Sequence, residues 1–243
     1  MFAYMETSNP LLNRQLDLSR DREVTSSMNL QGVVNKTGIL LLLCFFAGAF
    51  AWFNPELAVP LMIVGIIGGF IACMVGIFKP SASPIAAPIY AVLEGLCLGA
   101  ISQILESRWH GIVVNAMLLT IAVLAVMLFL YTTRILRVSS TMVKGIFMAT
   151  AAVAIVYLVD IVLNMFGIHM PYLNSSGPAG IAISLVIVGI AAFNLLVDFA
   201  VIENNIRQQA PKYMEWYSAM ALLVTLVWLY MEILRLLSKM KNR

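Results

Sequence analysis

The sequence predicts an all-α integral membrane protein, a bundle of seven transmembrane helices. Of its 243 residues, 61% are hydrophobic and only 11% are charged, whereas charged residues make up about a quarter of a typical soluble domain. The apolar residues fall into seven runs, most of them close to the ~20 residues that a helix needs to cross a bilayer. Because unpaired backbone polar groups cannot face lipid, runs this long and this apolar are expected to be helices.

Polar or Pro/Gly-containing connections separate the predicted helices. A polar segment, residues 1–36, precedes them and is expected to be a cytoplasmic tail, which leaves residues 37–243 as the transmembrane domain. The first run is short and the connection "WFNPEL" after it is tight, so the first two runs are predicted to form a helical hairpin. In chain order the predicted helices cover residues 38–52, 57–78, 85–104, 111–132, 143–165, 181–202 and 217–237.

The distribution of Lys and Arg predicts the orientation in the membrane. The tail and the second, fourth and sixth connections hold ten basic residues together, whereas the first, third and fifth hold only Arg108. Cytoplasmic connections carry the excess of Lys and Arg, so the tail and the even connections are predicted to be cytoplasmic. Seven crossings then place the C-terminus outside. Arg235, Lys239, Lys241 and Arg243 run against that trend, and the alternative is that the last run does not cross fully.

Neither an ordinary enzyme nor a nucleic-acid-binding protein is expected. The net charge of +3 is small and spread over the connections, unlike the basic surface that nucleic acids require. No Gly-rich phosphate loop, nucleophile elbow or HExxH pattern occurs, and His110 and His169 lie in predicted outer connections. Cys44, Cys73 and Cys97 lie within apolar runs, as buried thiols do. We expect no resident cofactor, and the sequence does not decide whether the protein has a metal site.

Small residues in the third run predict a close helix–helix contact. Ala87, Ala91, Gly95 and Gly99 recur every four residues, a spacing that lets a second helix approach closely in a membrane. Glu94 points roughly along this stripe and therefore toward protein. The glycines of "GIIGGF" in the second run are compatible with either dimerisation or internal packing.

Four acidic residues lie inside apolar runs: Glu94, Asp160, Asp198 and Glu232. With a rise of about 1.5 Å per residue, Asp198 is expected in the cytoplasmic half, Glu94 near the midplane, and Asp160 and Glu232 in the outer half. Acids spread in depth suit either a path for a hard cation such as Ca²⁺ or a proton relay. The alternative is that each acid is neutral or locally paired. Arg235, one turn from Glu232, is the partner that this alternative would give it.

Several stretches resemble the transmembrane Bax inhibitor motif family, in its bacterial YccA-like branch. They are "SNPLLN", "PIYAVLEGLCLGAIS", "NLLVDFAVIE" and "APKYMEWYSAMALLVTLVWLYMEILRLL", and the resemblance covers nearly the whole chain. It implies seven helices, with the C-terminal helix central between two three-helix layers, in the bacterial inner membrane. For characterised members it also implies a pH-sensitive Ca²⁺ leak, gated by two acids on the last two helices that share a proton.

On that resemblance Asp198 matches the first acid of the pair. Glu232 matches the second by type of motif only, since members with the pair carry Asp there. The two are 34 residues apart and are predicted in opposite halves of the membrane, whereas a shared proton requires close carboxyl groups. The alternatives are that Glu215 takes the second role, that Asp198 pairs with Arg207, or that Glu94 and Glu232 form a second site.

Two functions are therefore expected. The first is a cation leak, for Ca²⁺, with Asp198, Glu94 and Glu232 lining or gating the path. The second, which the YccA resemblance implies, is a non-transporting regulator that binds a membrane protease or another membrane complex. Its expected contact surfaces are the tail and the sixth connection, "ENNIRQQAPKYMEWY". Substitution of the acids should alter a leak, whereas a regulator should tolerate it and respond to changes in the tail.

Overall fold

The computed structural model describes residues 27–136, 138–167, 170 and 175–242. Seven helices within these ranges are long and apolar enough to cross a membrane, which confirms the predicted seven-helix bundle. Most of the predicted tail, residues 1–26, and His169 lie outside the described residues. The helices are α1 (Leu30–Phe53), α2 (Ala58–Phe78), α3 (Ser83–Arg108), α4 (Ile112–Thr132), α5 (Ser140–Met165), α6 (Pro178–Arg207) and α7 (Met214–Lys241).

Most helices extend beyond the apolar runs that predicted them. α1 begins at Leu30, within the segment predicted to be tail, and the Asn29 side chain caps it by accepting a hydrogen bond from the Gly32 amide at 2.6 Å. α6 likewise continues to Arg207 and α7 to Lys241. Apolarity marks only the part of a helix that lies in hydrocarbon, whereas polar turns at the ends form the same backbone hydrogen bonds.

α7 is the central helix of the bundle. It packs against α1 and α3 on one side and against α4 and α6 on the other. Of its most apolar stretch 61% is buried, whereas none of the corresponding stretch of α5 is. Helices α1–α3 form one layer and α4–α6 the other, as the resemblance implies. Leu223 packs in the core on the α1–α3 side and Leu229 in the core on the α4–α6 side.

Glycines bring α1 and α3 into backbone contact. A Cβ atom built on Gly99 would overlap the backbone of Gly48, and one built on Gly95 would overlap the backbone of Cys44. Ala91, one turn before Gly95, is fully buried. In lipid such close packing, and not removal from water, holds helices together. The small residues of the third run therefore lie against α1.

The "GIIGGF" glycines of α2 also pack within the bundle. A Cβ atom on Gly65 would come within 2.7 Å of Cys97 Cβ, and one on Gly69 within 3.1 Å of Glu94 Oε2, both on α3. Of the two uses that the sequence allowed these glycines, they serve internal packing here.

α5 lies at the edge of the bundle. It packs against α6 and contains no buried residue. Asn194 of α6 donates a hydrogen bond from Nδ2 to Thr150 Oγ1 of α5 at 2.8 Å. Polar bonds of this kind attach the helix to the rest of the bundle, because it buries little surface of its own.

Candidate functional site

Asp198 lies where α6 meets the central helix. Its carboxyl group lies near the hydroxyl of Thr225 on α7, which donates within its own helix to the Ala221 oxygen at 3.3 Å. The second oxygen, Oδ2, is buried and has no hydrogen-bond partner among the described residues. A buried polar atom without a partner costs about 1–3 kcal/mol, so a structural role alone does not account for an acid at this place.

Glu232 has the opposite environment, because donors surround its carboxylate. The Tyr157 hydroxyl on α5 lies 2.8 Å from both carboxylate oxygens. Trp228 Nε1 donates to Oε1 at 3.2 Å, and the Arg235 guanidinium lies 3.4 Å from the same oxygen. Arg235 also lies 4.5 Å from the centre of the Tyr157 ring, in cation–π contact. Glu232 thus connects the edge helix α5 to the central helix α7.

Asp198 and Glu232 do not come together in this structure. Asp198 is level with Thr225, and Thr225 and Glu232 are seven residues apart on α7, which corresponds to about 10 Å along the helix axis. A shared proton needs carboxyl groups in direct contact. The 34-residue spacing places the two acids at different depths, and Tyr157, Trp228 and Arg235 occupy the oxygens of Glu232 instead.

Glu215 does not pair with Asp198. It is fully buried at the start of α7, where its carboxylate forms ion pairs with Lys36 of α1 and, at 2.8 Å, with Lys212. The amide of Asn29 donates to the same carboxylate at 3.0 Å. Glu215 therefore attaches the start of α1 to the start of α7.

Arg207 is also engaged elsewhere. Its guanidinium forms an ion pair with Glu203, one turn earlier on α6. The other oxygen of Glu203 accepts a hydrogen bond from the Tyr131 hydroxyl of α4. Arg207 therefore neutralises Glu203 and is not the partner of Asp198.

Glu94 lies among the helices of the first layer. Its carboxylate faces Gly69 of α2. The thiols of Cys44, Cys73 and Cys97 lie close enough for electrostatic interaction with it. In the part of the chain that the structure describes, no three His, Cys, Asp or Glu side chains are arranged to hold a metal ion. Because the contacts of Glu232 are on α5 and α7, Glu94 and Glu232 do not form a common site here.

Asp160 is half-buried on α5. Its backbone oxygen accepts a hydrogen bond from the Asn164 side chain at 2.7 Å. It lies one turn after Tyr157, on the helix that Glu232 attaches to the bundle.

Sequence reasoning missed Lys239, which is buried near the end of α7. Its ammonium group donates to Ser184 Oγ at 2.7 Å and to the Gly180 oxygen at 3.3 Å, both on α6. The predicted topology places it outside the membrane, at the C-terminus. Its position seven residues after Glu232, which places both on one face of the helix, was the signal available.

Two cavities open at the end of the bundle where α1 and α7 begin. One, of about 580 Å³, lies between those two helices and is lined by Lys36, Lys212 and Glu215. The other, of about 450 Å³, lies between the ends of α4 and α6 and is lined by Arg134 and Arg207 among others. Both cavities therefore carry basic side chains at the same end of the bundle.

Comparison with known proteins gives one match. The family model described as Bax inhibitor 1 like matches residues 9–242, nearly the whole chain. No curated protein and no solved structure matches.

Proposed function

The chain belongs to the Bax inhibitor 1 like family, and we propose that it is a pH-sensitive cation leak, for Ca²⁺, in a bacterial inner membrane. The observation that carries the proposal is the Asp198 carboxyl group, with one buried oxygen that lacks a hydrogen-bond partner among the described residues. Acids inside the membrane are costly and mark ion or proton pathways. Carboxylate oxygens are also the ligands that Ca²⁺ prefers.

The gate in this proposal is the contact between α6 and α7. The Thr225 hydroxyl lies near Asp198, and in this proposal it donates to the ionised carboxylate, because a charge-assisted hydrogen bond is roughly twice as strong as a neutral one. Protonation removes the charge and weakens the bond, so α6 separates more easily from the central helix. The leak therefore opens as the pH falls.

Glu232 and Glu94 take other parts in this proposal. Glu232, held by Tyr157 and Arg235, positions α5 against α7 and does not share the proton of Asp198. Glu94 faces α2 within the first layer, and its place on the ion path stays a prediction. Glu94→Gln in the assay below tests that prediction separately.

The proposed orientation places the start of α1 and the start of α7 in the cytoplasm. Lys36, Lys79, Arg207 and Lys212 lie at this end, and the positive-inside rule assigns such an end to the cytoplasm. The C-terminus is then outside, with Lys239 buried against α6.

Ca²⁺ flux into liposomes that contain the purified protein tests the proposal. We expect flux above that of protein-free liposomes, and a changed flux for Asp198→Asn. Glu56→Gln is the matched control, because Glu56 is an exposed acid in the first connection. Background-level flux for folded protein would rule out the leak.

The regulator is the second candidate, and one contact favours it. The Met28 amide donates to the Ala210 oxygen at 2.8 Å, and Ser27 and Pro211 form an isolated β-bridge. Residues 27 and 28 of the predicted tail thus lie on the connection between α6 and α7, so the two surfaces expected to bind a membrane protease adjoin each other. If this function holds, deletion of residues 1–26 should abolish regulation of the partner, whereas Asp198→Asn should leave it unchanged.

A further inference from the structure

The cavity between the ends of α4 and α6 has a basic lining. Arg134 and Arg207 lie on it, together with the polar side chains of Tyr131, Thr132 and Asn204. Its volume of about 450 Å³ falls within the range of small-ligand sites, roughly 300–1,000 Å³. The cavity is therefore large enough for a compact polar group.

The acid in the lining, Glu203, is already neutralised. One carboxylate oxygen accepts a hydrogen bond from Tyr131, and the other forms an ion pair with Arg207. Arg134 forms no ion pair with any described residue. The cavity is left with one positive charge in excess, so an anion is the ligand that it favours.

The backbone directs Arg134 into this position. Arg134 follows the end of α4 and has a φ angle of 55°, a left-handed conformation that is uncommon for residues other than glycine. Its amide donates to the Tyr131 oxygen at 3.1 Å, and the Leu136 amide donates back to the Leu130 oxygen at 3.3 Å. The chain therefore folds back over the end of α4 and holds Arg134 beside the cavity.

The cavity lies where two membrane-spanning helices end, which is the level at which lipid headgroups are expected. α4 ends at Thr132 and α6 at Arg207, and both are membrane-spanning helices. Within two turns toward the middle of each helix, Phe129 and Val201 are exposed, with 59% and 50% of their surface accessible. An anion bound in the cavity can therefore extend acyl chains along apolar surface.

We propose that this cavity binds the phosphate group of an anionic lipid headgroup. A guanidinium group presents paired N–H donors that match phosphate oxygens, and Arg134 supplies them. The Asn204 amide is a further donor beside it. Basic pockets between transmembrane helices are known to take anionic headgroups. The proposal is independent of ion transport, because it involves neither Asp198 nor Glu232.

Native mass spectrometry of the full chain in neutral detergent tests the site with phosphatidylglycerol and phosphatidylcholine as probes. We expect the parent to retain phosphatidylglycerol preferentially and Arg134→Gln to weaken that binding about tenfold, as loss of a charge-assisted hydrogen bond predicts. Lys144→Gln is the matched control, because it removes one exposed positive charge at the same end of the bundle without lining the cavity.

The other outcomes would contradict either the existence of the site or the identification of a lipid as its ligand. Equal retention of the two lipids, or equal weakening by Lys144→Gln, would show that no specific site exists. Displacement of phosphatidylglycerol by low-millimolar inorganic phosphate would identify free phosphate as the ligand in place of the lipid. Melting temperatures within about 2 °C of the parent would show that the variants are folded, as expected for exposed substitutions.

Discussion

Two acids in the membrane-spanning part of the chain have opposite environments. Tyr157, Trp228 and Arg235 surround the carboxylate of Glu232, whereas Asp198 faces one hydroxyl group and keeps a buried oxygen without a partner among the described residues. An acid whose oxygens have hydrogen-bond partners stabilises one arrangement of helices. An acid with a buried oxygen that lacks a partner responds to protons or cations. This difference separates a structural acid from the proposed gate.

Tyr157→Phe should destabilise the bundle without unfolding it. The substitution removes the hydroxyl that bonds both oxygens of Glu232 at 2.8 Å, and we expect a loss of about 1–2 kcal/mol. Thermal unfolding in detergent measures it. Tyr217→Phe is the control, since Tyr217 is half-buried and its hydroxyl has no hydrogen bond to any described residue. An equal effect of the two substitutions would contradict the role given to Tyr157.

The sequence indicated some of these contacts and not others. Arg235 could be named as a partner of Glu232 because three residues along a helix bring side chains together. Tyr157 could not, because it lies 75 residues away on another helix. The pairing of Glu215 with Lys36, 179 residues apart, was hidden for the same reason: local spacing says nothing about which helices meet.

At the scale of helices, the contact between α1 and α3 depends on the absence of side chains. Gly48, Gly95 and Gly99 let the two backbones touch. The four-residue spacing in α3 predicted a close neighbour, but several helices could have filled that place. Which of them does so depends on packing across the whole bundle.

Gly99→Ala should therefore be strongly destabilising. The new methyl group would overlap the backbone of Gly48, and we expect a loss of about 1–3 kcal/mol, as overpacking of a tight contact produces. Gly145→Ala is the matched control. That helical position has nothing within 4 Å, so alanine should stabilise the helix by up to about 1 kcal/mol. Equal melting temperatures for the two variants would refute a tight α1–α3 contact.

The attachment of α1 to α7 gives a second prediction for helices. Glu215→Gln weakens the ion pairs with Lys36 and Lys212, and we expect a loss of about 1–3 kcal/mol because Lys36, with a side chain only 16% exposed, would lose its carboxylate partner. Amide hydrogen exchange should become faster in residues 29–36 and stay unchanged in α5. Unchanged exchange at the start of α1 would contradict this role of Glu215.

At the scale of the whole molecule, composition and apolar runs were enough to predict the seven membrane-spanning helices that the described part of the chain contains. The central place of the C-terminal helix was implied by the family resemblance and not by composition. The helix ends were harder to predict from the sequence, because polar turns continue α1, α6 and α7 beyond the hydrocarbon. The positions of the acids relative to one another were harder still to predict. The sequence predicted only the depth of each acid in the membrane. In the structure Glu94, Asp198 and Glu232 lie in three separate environments, beside different helices.

The central claim is that Asp198 titrates at the contact between α6 and α7 and opens a cation leak. The most direct measurement is Ca²⁺ flux into liposomes from about pH 5 to 8, the range over which such a switch would act, for the parent, Asp198→Asn and Glu232→Gln. We expect the parent flux to rise as the pH falls, Asp198→Asn to have a high flux that no longer depends on pH, and Glu232→Gln to retain the pH dependence. A pH profile for Asp198→Asn that matches the parent profile would contradict the claim.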